Sequence, residues 1–163
     1  MTKYYKGSTG YKVRAYGKDG KPVGAGKTVS IKVNGKTYKV KTNKKGYATL
    51  AINLKPGKYT IKATYNKYSV TNKIVVKTTL ITKNLSKKKS KTTKYQAKLL
   101  NGNGKVLKGK KITFKFKGKT YTAKTNKKGI ATITIKSALK VGKYKIYTKY
   151  GKLKNTNVIT IKK

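Results

Sequence analysis

Catalysis starts with groups that take, give or hold a charge, and here the inventory is one-sided: 45 Lys plus Arg, one acid, no His and no Cys. Arg14 is the single arginine and Asp19 the single acid. That composition leaves no paired carboxylates for general acid–base work, no Ser-His-Asp arrangement, and no Zn or Ca ligand set. A Ser-Lys dyad is the one nucleophilic arrangement left, yet Ser30, Ser69 and Ser137 stand near lysines only because lysines are everywhere. An internal Lys-Asn isopeptide bond needs a buried acid beside the pair, and the chain beyond Asp19 has none. The sequence therefore reads as non-enzymatic, with no catalytic residue, no cofactor and no metal.

What the basic groups can do is attract anions. A net charge of +44 and a pI near 10.5 are the electrostatic footprint of a polyanion binder. Against a specific nucleic-acid role, the lysines alternate with apolar residues along the whole chain instead of clustering. Arginine, the residue suited to bidentate base and phosphate recognition, is nearly missing. Of the 14 tyrosines, most fall on the inward parity of their segments, where the ring is buried and the hydroxyl reaches solvent. Tyr16, Tyr68 and Tyr147 fall outward or in loops and, with Arg14, are the candidate surface contacts for a sugar or a protein. With one acid there is no salt-bridge network, so stability comes from burial, backbone hydrogen bonds and turns. Repulsion between exposed lysines is largely screened at the ~8 Å Debye length of physiological salt.

The elements that must position these groups are written twice. Residues 36–50 read Lys-Thr-Tyr-Lys-Val-Lys-Thr-Asn-Lys-Lys-Gly-Tyr-Ala-Thr-Leu, and 83 positions later residues 119–133 repeat the pattern. Alternation, then Thr-Asn-Lys-Lys-Gly, then renewed alternation predicts a strand, a tight turn and a strand, which is to say a repeated β-hairpin. Asn43 and Asn126 open the turn by bonding their own backbone, and Gly46 and Gly129 supply a positive φ. A second punctuation, Pro56-Gly57-Lys58-Tyr59 and Val141-Gly142-Lys143-Tyr144, assigns turns to Gly57 and Gly142. Asp19 sits in a turn where Asn103 sits in the second copy.

Between these marks apolar residues recur at every second position. Val29, Ile31 and Val33 point inward, as do Ile112, Phe114 and Phe116. No segment shows a helical period. Offsets of 84, 83 and 85 along the repeat place one deletion and one two-residue insertion, the latter near Ser137-Ala138 in a loop. The repeat divides the chain into domains at 1–77 and 78–163, each able to bury about 60–65% of its unfolded surface. Leu80-Ile81-Thr82 reads as the first strand of the second domain, and by the same matching Met1 to Lys6 holds an abbreviated first strand of the first. Seven or so short strands per repeat predict an all-β chain of two tandem antiparallel β-sandwich domains, with small barrels as the alternative. No apolar run reaches the ~20 residues that span a membrane. The chain reads as a piece of a longer protein with Met1 as an added start.

Thr-Asn-Lys-Lys-Gly-x-Ala-Thr-(Leu/Ile)-x-Ile followed by Gly-Lys-Tyr-x-Ile, present in both halves, resembles the tandem immunoglobulin-like repeats of adhesin-like surface proteins, especially those of methanogenic archaea. It is similar, more distantly, to bacterial invasin and intimin repeats. The resemblance covers nearly the whole chain. It implies a monomeric, cell-surface or extracellular stalk built of many such units and anchored elsewhere in a long polypeptide. Its partners would be neighbouring repeats and a host-cell or cell-wall glycan or other anionic polymer, with no membrane insertion and no specific nucleic acid. The alternative is a polyanion or nucleic-acid binding protein. The near absence of acids departs from the family pattern where calcium stiffens the linkers.

Overall fold

The computed structural model describes all residues, Met1–Lys163, and consists of strands and turns with no helix. Two compact units divide it, Met1–Thr78 and Thr79–Lys163.

Unit 1 contains β1 (Thr2–Tyr4), β2 (Tyr11–Arg14), β3 (Thr28–Val33), β4 (Lys36–Lys41), β5 (Tyr47–Leu50), β6 (Gly57–Tyr65) and β7 (Tyr68–Lys77). Strands β1-β7-β6-β3-β4 form one sheet and β2-β5 a second. The period-2 alternation sends Val29, Ile31 and Val33 of β3, Ile61 and Ala63 of β6, and Ile74 and Val76 of β7 into one core. There they meet Tyr11, Ala15, Ala48 and Ile52 from the side of the smaller sheet. Every pairing is antiparallel except that of β1 on β7, which is parallel.

Unit 2 repeats the plan with β8 (Leu80–Ile81), β9 (Leu85–Lys88), β10 (Thr93–Leu99), β11 (Lys111–Phe116), β12 (Lys119–Lys124), β13 (Ile130–Ile135), β14 (Gly142–Tyr150) and β15 (Leu153–Lys162). Its sheets are β12-β11-β14-β15-β9 and β13-β10-β8. Again one pairing is parallel, β9 on β15. Phe114 and Phe116 stand where unit 1 has Ile31 and Val33, so the second core is built of larger side chains.

This strand order, with the last strand between the penultimate strand and β1 or β9, is that of an immunoglobulin-like sandwich. The corner before the penultimate strand carries the matching tyrosine device. Tyr59 Oη donates to Lys55 O at 2.8 Å, and Tyr144 Oη donates to Lys140 O at 2.9 Å. Gly57 and Gly142 open β6 and β14 close to the extended conformation (φ 159° and 154°). What Gly57 provides is room: a Cβ there would meet the Tyr59 ring at 3.3–3.4 Å. Lysine also manages the edges, since β4 is exposed along most of its length and carries Lys36, Lys39 and Lys41.

Three expectations from the sequence are corrected. The repeated Thr-Asn-Lys-Lys-Gly stretch is not a hairpin: β4 pairs with β3 and β5 pairs with β2, so the turn carries the chain from one sheet to the other. Alternation flanks both kinds of junction, and only the partner strand distinguishes them. The first strand was matched wrongly as well. Lys3, at 6% exposure, pairs with Val76, and its counterpart is Lys87 of β9, which pairs with Ile161. Unit 1 therefore has no counterpart of β8. Finally, Gly57 and Gly142, read as turn residues, are the first residues of β6 and β14. In the turn after β10, Asn101 Oδ1 accepts the Asn103 and Lys105 amides. Asp19 accepts the Lys21 amide at 3.1 Å in the corresponding turn of unit 1.

Candidate functional site

On the β2–β5 sheet Arg14 lies opposite Tyr47, Val13 opposite Ala48 and Lys12 opposite Thr49. Residues directly opposite share a face. Burial of Ala48 therefore fixes Lys12, Arg14 and Tyr47 on the outward side. There they stack. Lys12 Nζ lies 4.0 Å from the Tyr47 ring centroid, and Arg14 Cζ lies 4.9 Å from it and 5.6 Å from the Tyr16 ring. Arg14 Nε donates to Lys45 O at 3.0 Å. Each exposed cation–ring contact is worth about 0.5–1 kcal/mol, enough to hold the guanidinium in one pose without neutralising it. No protein group accepts from the Arg14 terminal nitrogens, so their fork is free for a carboxylate or phosphate.

Of the four surface residues singled out from sequence, the structure brings Arg14 and Tyr16 together. Tyr68 stands apart at the β6–β7 turn, 82% exposed. Tyr147 is half-buried on β14 with Lys154 Nζ 5.2 Å from its ring. Tyr47, which completes the ladder, was missed because its place opposite Arg14 depends on the pairing of β5 with β2. The ladder belongs to unit 1 alone. Gln96, Lys98, Leu100 and Ile130 occupy the corresponding positions of unit 2, and Gln96 Nε2 donates instead to Thr132 Oγ1 at 3.1 Å.

The turn residues hold this face in place. Asn43 Oδ1 accepts the Lys45 and Tyr47 amides at 2.9 and 3.1 Å, and Asn126 Oδ1 accepts those of Lys128 and Ile130 at 2.9 and 3.0 Å. Gly46 at φ 78° and Gly129 at φ 73° pass close under the neighbouring loop. A Cβ on Gly46 would lie 2.9 Å from Val23 O, and one on Gly129 would lie 2.8 Å from Leu99 O. Their own carbonyls accept the Ala15 and Leu99 amides. Buried Thr42 and Thr125 complete the motif, accepting the Lys27 and Lys110 amides on Oγ1 at 3.0 and 2.9 Å.

In each unit a lysine fastens the strand that pairs in parallel with the last one, β1 or β9. Lys3 Nζ donates to Gly7 O at 2.7 Å and Ile52 O at 2.6 Å. Lys87 Nζ donates to Ser90 Oγ at 2.6 Å and Thr92 O at 2.7 Å. Burial pulls the Lys3 ammonium below its ordinary pKa. Burial pushes the Tyr11 and Tyr95 phenols up from theirs, and the two hydroxyls donate to Asn72 Oδ1 and Lys83 O.

No family model and no curated protein sequence matches this chain. Solved structures do. A Ca²⁺-stabilised adhesin with which an Antarctic bacterium reaches out and binds ice is 14% identical, with TM-score 0.35, over 99% of this chain and 46% of that one. A 1.5-MDa bacterial ice-binding adhesin is 12% identical, with TM-score 0.32, and 60% of that solved chain is spanned. The I9–I11 tandem of titin is 14% identical over 99% of this chain and 62% of that one, with TM-score 0.47. This chain thus spans between 46% and 62% of the length of these solved chains. Likenesses at this level carry neither shared ancestry nor shared function.

Proposed function

We propose that this chain is a non-enzymatic, load-bearing module of a cell-surface stalk or adhesin, built of tandem immunoglobulin-like units and attached electrostatically to anionic polymers. The observation that carries this reading is the parallel pairing of the last strand of each unit with an N-terminal strand, β1 with β7 and β9 with β15. Tension applied at the two ends of a unit draws β1 and β7, or β9 and β15, past each other. The load then falls in shear on several ladder bonds at once rather than on one bond at a time. Unit 1 aligns three residue pairs in this way, Thr2–Tyr4 with Val75–Lys77, and unit 2 aligns four, Leu85–Lys88 with Ile159–Lys162. The Lys3 and Lys87 ammonium groups fasten the short strand of each clamp. The likeness of the repeated motif to surface-protein repeats of methanogenic archaea points the same way, to a position outside the cell beside further repeats. No titratable pair capable of acid–base or nucleophilic catalysis is available to an enzyme reading.

Stretching single molecules of the whole chain between its ends tests this. Two discrete unfolding events are expected, each releasing about 25 nm of chain at ~3.4 Å per residue. Smooth extension without discrete events would overturn the load-bearing reading. The charge of +44 favours a second reading, a polyanion or nucleic-acid binder. Duplex DNA binding that persists above about 0.3 M salt would support it, whereas generic attraction falls steeply over that range.

A further inference from the structure

Unit 2 closes one sheet edge that unit 1 leaves open. In unit 2, β8 pairs with β10, with Lys98 opposite Ile81 and Leu99 opposite Leu80. The Leu100 amide then donates to Thr79 O at 2.8 Å. Under this strand Leu80 and Leu99 are fully buried and Leu100 is 8% exposed. The corresponding stretch of unit 1 is Arg14-Ala15-Tyr16, and its inner hydrogen bonds are the same. The Ala15 amide donates to Gly46 O as Leu99 does to Gly129 O. Val23 donates to Ala15 O as Leu107 does to Leu99 O, and Gly17 donates to Lys21 O as Asn101 does to Lys105 O. Only the outer partner is missing. β2 pairs with β5 alone, the Tyr16 amide has no acceptor, and Tyr16 is 50% exposed.

We propose that this edge, Arg14 to Tyr16, is a docking site for an extended strand of the chemistry of Thr79–Thr82, presented by the linker of a neighbouring unit. The proposal rests on the tandem-stalk reading and says how one unit is joined to the next. Thr79-Leu80-Ile81-Thr82 is uncharged, so it approaches an edge flanked by Lys12 and Arg14 without the repulsion that a lysine-bearing strand of this protein would meet. An unpaired edge accepts such a strand by continuing the ladder, and alternate side chains set the register. The counterpart of Leu80 would cover the core beside Ala15, and the Tyr16 amide would gain the carbonyl that Leu100 has.

The test leaves the chain intact and adds to it. Because Lys3 and Lys87 correspond, a copy of residues 78–84 placed directly before Met1 puts the added strand where β8 stands in unit 2. Backbone amide exchange at Tyr16 should slow by about tenfold or more, the factor equivalent to about 1.4 kcal/mol, and the melting temperature of unit 1 should rise. A control copy with proline in place of the leucine and isoleucine should do neither, since it can neither donate to the ladder nor fill the site. Unchanged Tyr16 exchange in the extended chain would overturn the proposal, and so would an equal effect from the control. If the unextended chain dimerises at high concentration with its Tyr16 amide already protected, the occupant is a second copy and the proposed linker strand is wrong. Exchange reads the edge alone, so these outcomes are distinct from a failure of the stretching experiment, which reads load-bearing.

Discussion

Replacing Gly46 with alanine should unfold unit 1 at a markedly lower temperature, and a second glycine of the same unit separates the causes. Gly46 and Gly20 both adopt a positive φ, 78° and 71°. A side chain at either position costs about 1–2 kcal/mol in backbone strain. Around Gly20 nothing lies within 4 Å of an added Cβ. Around Gly46 the Cβ would meet Val23 O at 2.9 Å, Ala15 O at 3.1 Å and Pro22 Cβ at 3.2 Å. Two of those three are backbone atoms, and Ala15 O is already committed to the Val23 amide. They cannot swing aside as a side-chain tip would, and forced repacking of this kind adds about 1–3 kcal/mol. Gly20→Ala should therefore cost about 1–2 kcal/mol and Gly46→Ala about 2–5 kcal/mol. At 4–8 °C per kcal/mol for a domain of this size, that is roughly 4–16 °C against roughly 8 °C to complete loss of folding. Calorimetry of the whole chain should show the unit 2 transition unmoved in both variants, because additivity holds for remote sites. Equal shifts for the two glycines would refute the claim that close approach, and not φ alone, selects glycine in the repeated motif.

Other expectations follow from single buried groups. Thr148 is fully buried with no partner for Oγ1, and alanine stands at the equivalent Ala63; Thr148→Val should raise the unit 2 melting temperature by relieving about 1–3 kcal/mol of desolvation, and a fall would mean that the hydroxyl has a partner. Burial raises the Tyr11 and Tyr95 phenol pKa above the ordinary 10.0, so the neutral phenol is the form the fold prefers. The stability this contributes is complete below about pH 10 and is lost as pH climbs through the folded values. Lysine deprotonation relieves repulsion in the same range, so the measurement is the difference between wild type and the Tyr11→Phe, Tyr95→Phe double variant. The wild type should lose stability more steeply above pH 10, and parallel curves would count against burial as the cause. Arg14→Lys keeps the charge but removes the fork and its stacking on Tyr16 and Tyr47; affinity for a polyuronate should fall by about tenfold at moderate salt if one bidentate pair is made, while an unchanged affinity would reduce the ladder to one more positive charge.

Parity was legible in the sequence because it is a local property. Val29, Ile31 and Val33 alternate with Thr28, Ser30 and Lys32, and no later pairing could reverse which of them enters the core. The corner residues were legible for the same reason, since Asn43 bonds amides two and four residues ahead and needs nothing distant to do so. Pairing was not local. The stretch from Lys36 to Leu50 has the pattern of a hairpin, yet its two strands separate, β4 onto β3 and β5 onto β2, strands that lie elsewhere in the sequence.

The candidate site failed to show itself by the same logic. Arg14 and Tyr16 could be picked out as outward residues of one short stretch, but a cation becomes a recognition group when a second aromatic ring holds it. That ring is Tyr47, 33 positions away, brought opposite Arg14 by β2–β5 pairing. Lys3 hides more completely. Among lysines that alternate onto solvent faces, nothing in its neighbours marks one as buried, and its acceptors at Gly7 and Ile52 converge only when β1 lies parallel to β7. Parallel pairing of the last strand with β1 or β9 is the least local feature of each unit. It is also the feature on which the proposed load-bearing depends, so the shear geometry could come only from the fold, whereas the stalk resemblance and the electrostatic reading were visible in the sequence.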